Sequence, residues 1–166
     1  MQTNYKTARL FLRTLNAGDT AFIFELLNSA GWIKFIGDRN IKTSEDADKY
    51  IQKIITNPDI NYRVVTLPDT ETAIGLVTFI KRNYLNHPDI GFAFLTAYNK
   101  QGYAFEATKE VLNDLLSSGE HTTILATTIP ENSSSIQLLK KLGFHFSKEI
   151  TNDGEVLQVF AINKNK

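Results

Sequence analysis

The chain contains no cysteine, which removes disulfide bonds, thiolate nucleophiles and thiolate metal sites together. Its three histidines, His87, His121 and His145, stand far apart and show no ligand spacing, so no metal is expected. Net charge is missing too: 18 Lys and Arg offset 18 Asp and Glu. No field is left to draw the protein onto nucleic acid or an anionic membrane. No apolar run is long enough to span a bilayer, and Met1 to Lys6 lacks the apolar stretch of a signal peptide. A cytoplasmic location is the expectation. The four prolines are scattered and no repeat or low-complexity segment interrupts the chain, so residues 1–166 are expected to form one domain.

What is present is a succession of periods. Arg9 to Arg13 alternates as a half-buried strand and stops at the turn Asn16-Ala17-Gly18-Asp19. Thr20 to Leu27 has apolar residues at helical spacing, and Thr43 or Ser44 starts a second helix through Ile55. The stretch between them, with Trp32 and Phe35, reads as a loop. Tyr62 to Leu67, Ala73 to Lys81 and Ile90 to Leu95 read as three consecutive strands of an antiparallel meander. From Gly102 the period becomes helical, with Ala104, Ala107, Val111 and Leu115 on one face as far as the Ser117-Ser118-Gly119 stop. Thr122 to Thr128 is then a strand, parallel to the one before the helix. Asn132 to Leu142 reads as a capped helix closed by Gly143. Phe144 to Phe146 and Val156 to Ile162 form a hairpin about Asp153-Gly154. The expected fold class is mixed α/β, with a mainly antiparallel sheet.

Two segments carry candidate chemistry. In Tyr98 to Ala107 a glycine-bearing turn joins an apolar strand to the first turn of a helix, where unpaired amides at the positive end can receive a phosphate. Without a Gly-Lys-Ser/Thr or further glycines it is neither a P-loop nor a dinucleotide fingerprint. On its residues alone, a phosphate cradle and a plain structural turn both remain open. The segment Pro130 to Phe144 is on its own an N-capped amphipathic helix.

In this order and at this separation the two segments resemble the acetyl-CoA signature of the GNAT acetyltransferases. The resemblance runs from about Thr7 to Ile162. Thr7-Ala8-Arg9-Leu10-Phe11-Leu12-Arg13, Ile74-Gly75-Leu76-Val77, Asp89-Ile90-Gly91-Phe92, Asn132-x-x-Ser135 and Leu142-Gly143-Phe144 look like the branch that acetylates ribosomal-protein N-termini. The resemblance implies a GNAT fold whose splayed parallel strand pair holds the pantetheine of acetyl-CoA. Backbone groups of Phe94, Leu95 and Thr96 would bind that arm. The turn from Asn99 through Gln101, Gly102, Tyr103 and Ala104 would take the pyrophosphate, with Asn99 standing where relatives carry a longer Arg or Gln. Asn132 would bind the pantetheine, and Ser135 would sit near the sulfur.

It further implies direct attack of a primary amine on the thioester in a ternary complex. Asp89 is the expected general base, directly or through water, with His87 as its substitute. Ser135 is the expected partner of the departing sulfur, Tyr103 the alternative. The amide near Leu95 is the expected oxyanion donor. The implied partners are acetyl-CoA and an amine acceptor, either a peptide N-terminus or a small amine, with the chain a monomer or homodimer. An acyl-CoA sensor with little turnover, or an antibiotic or polyamine acetyltransferase, are the alternatives.

Overall fold

The computed structural model describes residues 1–164. Eight strands form one sheet in the order β1-β2-β3-β4-β5-β6-β8-β7. They are β1 Tyr5–Lys6, β2 Phe11–Thr14, β3 Ile60–Thr66, β4 Ala73–Ile80, β5 Asp89–Phe94, β6 Thr123–Thr128, β7 His145–Asn152 and β8 Glu155–Asn163. The helices are α1 Thr20–Leu27, α2 Ala30–Phe35, α3 Ser44–Ile55, α4 Tyr103–Ser117 and α5 Ser133–Lys141. Every neighbouring pair is antiparallel except β5 and β6.

The sheet divides the apolar residues into two layers, as alternation along the strands requires. On one face Ile90, Phe92 and Phe94 of β5 join Val111, Leu115, Leu139 and Phe160 beneath α4 and α5. On the other, Ala93 and Leu95 join Ile23, Leu26, Ile51 and Ile54 beneath α1 and α3. Gly75 of β4 lies opposite Phe94. A Cβ there would come within 2.4 Å of the Phe94 ring, so glycine lets that ring lie flat across the neighbouring strand.

Local chemistry sets the element ends. Thr43 caps α3 by accepting from the Asp46 amide, and Asp46 accepts in return from the Thr43 amide. Asp153 and Gly154 both have positive φ, +49° and +81°, the geometry that a two-residue turn needs to match strand twist.

The structure corrects the sequence reading in three places. The strand read over Arg9 to Arg13 is β2 and begins at Phe11, after the short β1, because Thr7 to Leu10 closes as a turn: the Thr7 amide donates to the Leu10 carbonyl at 2.9 Å and the Leu10 amide to the Thr7 hydroxyl at 3.0 Å. The expected loop around Trp32 is the short helix α2, whose cap Ser29 accepts from the Trp32 amide. The second arm of the last hairpin is matched by a first arm that runs on to Asn152.

Candidate active site

The site is built where β5 and β6 part. Asp89 and Leu125 are their only paired residues, with the Leu125 amide donating to the Pro88 carbonyl at 3.0 Å. Beyond that vertex the strands diverge. The β4–β5 register decides which groups look into the gap. The Leu95 amide donates to the Ile74 carbonyl at 2.9 Å, and in an antiparallel ladder the direction alternates. Asp89, Gly91, Ala93 and Leu95 therefore turn their backbone groups to β4. Ile90, Phe92 and Phe94 turn theirs toward β6, so the Phe92 and Phe94 amides open into the gap.

This overturns one expectation. The backbone groups of Leu95 do not face the gap as expected: its amide is bonded to the Ile74 carbonyl and its carbonyl accepts from the Tyr98 amide at 2.9 Å. Phe92, which the sequence reading passed over, presents the amide closest to the vertex. The Phe94 amide faces the gap with it. Thr96 opens a single 3-10 turn, Thr96–Tyr98, and its carbonyl accepts from the Asn99 amide.

The turn that follows is shaped for an anion. Lys100 and Gly102 have φ of +61° and +82°, so the chain doubles back before entering α4. Gly102 is the N-cap and offers no side chain to the helix, which leaves the amides of Tyr103 and Ala104 without a capping partner. Gln101 is tied by its side-chain amide to the Ala97 carbonyl at 2.9 Å. Asn99 is exposed and extended.

Arg9 is the residue the sequence did not reveal. It donates from Nη1 to the Gln101 carbonyl at 3.0 Å and lies 4.5 Å over the Tyr103 ring. From Nε it donates to Glu106 at 2.7 Å. A cation from the start of the chain thus braces the turn between Asn99 and Ala104.

Glu106 also accepts from the Thr7 hydroxyl at 2.6 Å and the Arg9 amide at 2.9 Å. Burial raises its pKa, but the bonds from Thr7 and Arg9 outweigh that and hold it below the ordinary 4.5. Asp114 is held low in the same way: burial works against it, and the Gln2 amide and the Tyr5 hydroxyl prevail. Both carboxylates therefore stabilise the fold fully above their unfolded values, and that contribution disappears as pH falls through the lower folded ones. Thermal melts should show a fall in Tm between about pH 5 and pH 3 that is smaller in the Glu106→Gln variant. An identical fall in both proteins would remove Glu106 from the account.

Across the gap, Asn132 caps α5 by accepting from the Ser135 amide at 3.2 Å. Its Nδ2 donors point away from that bond and remain for a ligand. Ser135 is half-buried, next to Ile136, which packs into the same core as Phe92 and Phe94.

Asp89 sits at the vertex on the α1–α3 face, opposite α5. Its Oδ1 receives the Arg82 Nε at 3.0 Å and its Oδ2 the Thr127 hydroxyl at 3.0 Å. Burial raises its pKa, and Arg82 and Thr127 offset part of the rise. The acid is 3% exposed. Trp32 is core at 5% exposure, whereas Tyr84 is exposed beside Arg82.

Residues 9–145 match the acetyltransferase (GNAT) domain family. A Bacillus subtilis (strain 168) protein described as the uncharacterized N-acetyltransferase YnaD is 29% identical over 137 residues, 82% of this chain and 79% of its own. Two solved structures share the fold. The ribosomal-protein-S5-alanine acetyltransferase of Vibrio fischeri has a TM-score of 0.75 and 16% identity, covering 99% of this chain and 98% of its own. The spermidine N-acetyltransferase of Vibrio cholerae, solved with CoA and spermine, has a TM-score of 0.79 and 19% identity, covering 95% and 97%. The chain belongs to the GNAT acetyltransferase family, and it is an acetyl-CoA-dependent N-acetyltransferase.

The residues present fit that donor. The Phe92 and Phe94 amides face the gap, the uncapped α4 turn follows β5 in the chain, and Asn132 follows β6 at the start of α5. Among the described residues no helix is long and apolar enough to cross a membrane.

Proposed function

We propose that the protein transfers the acetyl group of acetyl-CoA directly to a primary α-amine, such as a peptide N-terminus. The observation that carries this reading is the single β5–β6 pairing at Asp89 and Leu125, which leaves the Phe92 and Phe94 amides facing a gap with the α4 turn at its mouth. The pantetheine arm of acetyl-CoA laid along β5 would use these amides as an added strand does, with the pyrophosphate on Gln101 to Ala104 and the arm's amide groups within reach of Asn132.

The chemistry needs three things: a neutral amine, a donor for the developing oxyanion and a route for the thiolate. The Phe92 amide is the oxyanion donor in this reading. Asp89 takes the proton from the amine through a water, since its carboxylate is too covered for an acceptor to touch. The N–C bond forms as the C–S bond breaks. The sulfur leaves as a thiolate hydrogen-bonded by the Ser135 hydroxyl.

The pairing of Asp89 with Arg82 favours an α-amine over an alkyl amine. At pH 7 an α-amine of pKa near 8 needs about 1 to 1.5 kcal/mol to become neutral, whereas a lysine-like amine needs about 4 to 5. Burial raises the basicity of Asp89 and Arg82 and Thr127 offset part of the rise, which suits it to the smaller task.

Thiol release from acetyl-CoA, followed with a chromogenic disulfide, tests this across α-amino peptides, polyamines and aminoglycosides. The protein has no thiol of its own to interfere. Release should depend on acceptor and be fastest with α-amino peptides. Ser135→Ala should lower kcat about tenfold and leave the KM for acetyl-CoA within about threefold, because a thiolate of pKa near 8.5 needs only modest help. Faster turnover of polyamines would replace the α-amine reading. Silence across the panel with CoA still bound would favour a sensor.

A further inference from the structure

On the α1–α3 face of the sheet, Tyr62, Thr78 and Gly91 stand opposite one another on β3, β4 and β5. Directly opposite residues share a face, and Tyr62 packs into the layer beneath α3. A Cβ on Gly91 would come within 2.8 Å of the Thr78 hydroxyl, so the row ends in a notch that a larger residue would fill. Along β5, Asp89 precedes the notch on the same face and the Phe92 amide follows it. An acceptor approaching from this face would bring its amine there.

The groups around the notch carry positive charge beyond what holds the base. Arg82 donates Nε to Asp89 at 3.0 Å. The Arg82 side chain is 33% exposed and that of Asp89 only 3%, so the accessible part of the guanidinium is its Nη1 and Nη2 end. Across the notch, the Tyr62 hydroxyl shares a 2.9 Å hydrogen bond with that of Tyr50 on α3. Burial and then Tyr50 push the Tyr62 pKa well above its ordinary value, and Arg39 and Arg82 pull it back, so both guanidiniums reach this hydroxyl electrostatically. A neutral tyrosine hydrogen-bonds but cancels no charge. Asp153, on the hairpin turn, belongs to the same corner: burial raises the Tyr84 pKa, Arg82 opposes the rise, and Asp89 and Asp153 add to it. Asp153 is exposed, and an attraction through solvent is weak enough for a carboxylate bonded directly to Arg82 to override.

A guanidinium engaged through Nε keeps a pair of terminal N–H donors that match a carboxylate. Because the same Arg82 holds the base, a carboxylate received there lies close to the amine that Asp89 deprotonates. Amine and carboxylate must then be near neighbours in one molecule. We propose that the acceptor is an α-amine with a carboxylate close beside it, as in an acidic N-terminal residue or a free α-amino acid, with Arg82 Nη1 and Nη2 on the carboxylate and the amine over Gly91. A polyamine meets the same guanidinium as repulsion. The inference rests on the α-amine reading above.

Two matched pairs of acceptors test it. Peptides amidated at the C-terminus and beginning with Asp or Asn probe a side-chain carboxylate, and free alanine against alaninamide probes the α-carboxylate. In at least one pair, kcat/KM should be about tenfold higher for the acid than for the amide. Arg82→Gln should slow both members, because Asp89 loses its partner, and bring their ratio to about one. A mere loss of positioning slows both members alike and leaves the ratio unchanged. The pair that shows the preference identifies the source of the carboxylate. No preference in either pair with the unsubstituted protein, or a preference that survives Arg82→Gln, overturns the inference; the first of these needs no variant to fold. Neutral α-amines turned over as fast as acidic ones leave the α-amine reading standing without it, whereas turnover of polyamines alone removes both.

Discussion

Asp89→Asn should lower kcat/KM with an α-amino peptide by at least about 100-fold, the usual scale for removing a general base. It should also remove the limb that the carboxylate sets in the pH–rate profile and leave only the fall set by the acceptor amine, below its pKa of about 8. The sign follows from the site. As a base, Asp89 works ionised, and burial places its pKa above the ordinary carboxylate value. Activity should therefore fall as pH drops through that raised value, and a variant without the carboxylate has no such limb. The same substitution carries a structural cost. Arg82 would lose its ion-pair partner at 3.0 Å, and breaking a buried pair on one side costs about 3 kcal/mol. Rate must therefore be measured on the folded fraction. Thr127→Val separates the roles, since it removes the 3.0 Å donor to Oδ2 and leaves the charge. A valine variant that keeps the carboxylate's limb, beside an asparagine variant left only with that of the acceptor amine, identifies the carboxylate as the base. If Asp89→Asn lowers Tm but leaves kcat/KM within about threefold, Asp89 is a brace that holds Arg82 and closes the vertex.

The parts of the fold that showed in the sequence are those set by local period and punctuation. Thr20 to Leu27 was readable from apolar spacing behind Asp19, and the structure has a helix with those limits. Asn132 and Gly143 marked α5 because a side-chain cap and a positive-φ closure are residue-specific requirements. α2 was not readable: six residues are less than two turns, Gly31 lies inside them, and the helix is held by the Ser29 cap and by burial of Trp32.

The site divides along the same line. Gly102 and Asn132 were legible because each does something only its residue type does well. The error at Leu95 came from register. A strand pattern tells which side chains share a face, but the direction of each amide depends on pairing with β4, which is fixed by contacts such as the Gly75–Phe94 packing. Once Leu95 is bonded to Ile74, alternation leaves Phe92 and Phe94 for the gap. Arg9 was hidden for another reason. Its destination, the Gln101 carbonyl, is 92 positions away in sequence and is reached only because Glu106 catches the guanidinium on the first turn of α4. The Arg82–Asp89 pair likewise depends on a loop conformation that no period encodes.

Gly102→Val should reduce CoA affinity by roughly 100-fold while leaving the protein folded. Two consequences of the side chain add. At φ of +82° a β-branched residue is strained, so the turn would relax and swing the Tyr103 and Ala104 amides off the phosphates. A Cβ would also sit 3.2 Å from Arg9 Nη2 and push the guanidinium outward. Loss of two charge-assisted bonds is worth about 3 kcal/mol, which is the roughly 100-fold expected. Gly102 is exposed, so the cost to the core is small and Tm should fall by only a few degrees. Gly102→Ala combined with Arg9→Ala tells the two causes apart. If the steric push on Arg9 dominates, the double variant binds CoA as well as Arg9→Ala alone, because the group that would be displaced is gone. If the backbone dominates, the losses add. Titration of CoA into the four proteins gives the coupling directly, and unchanged affinity in Gly102→Val would place the phosphates somewhere other than this turn.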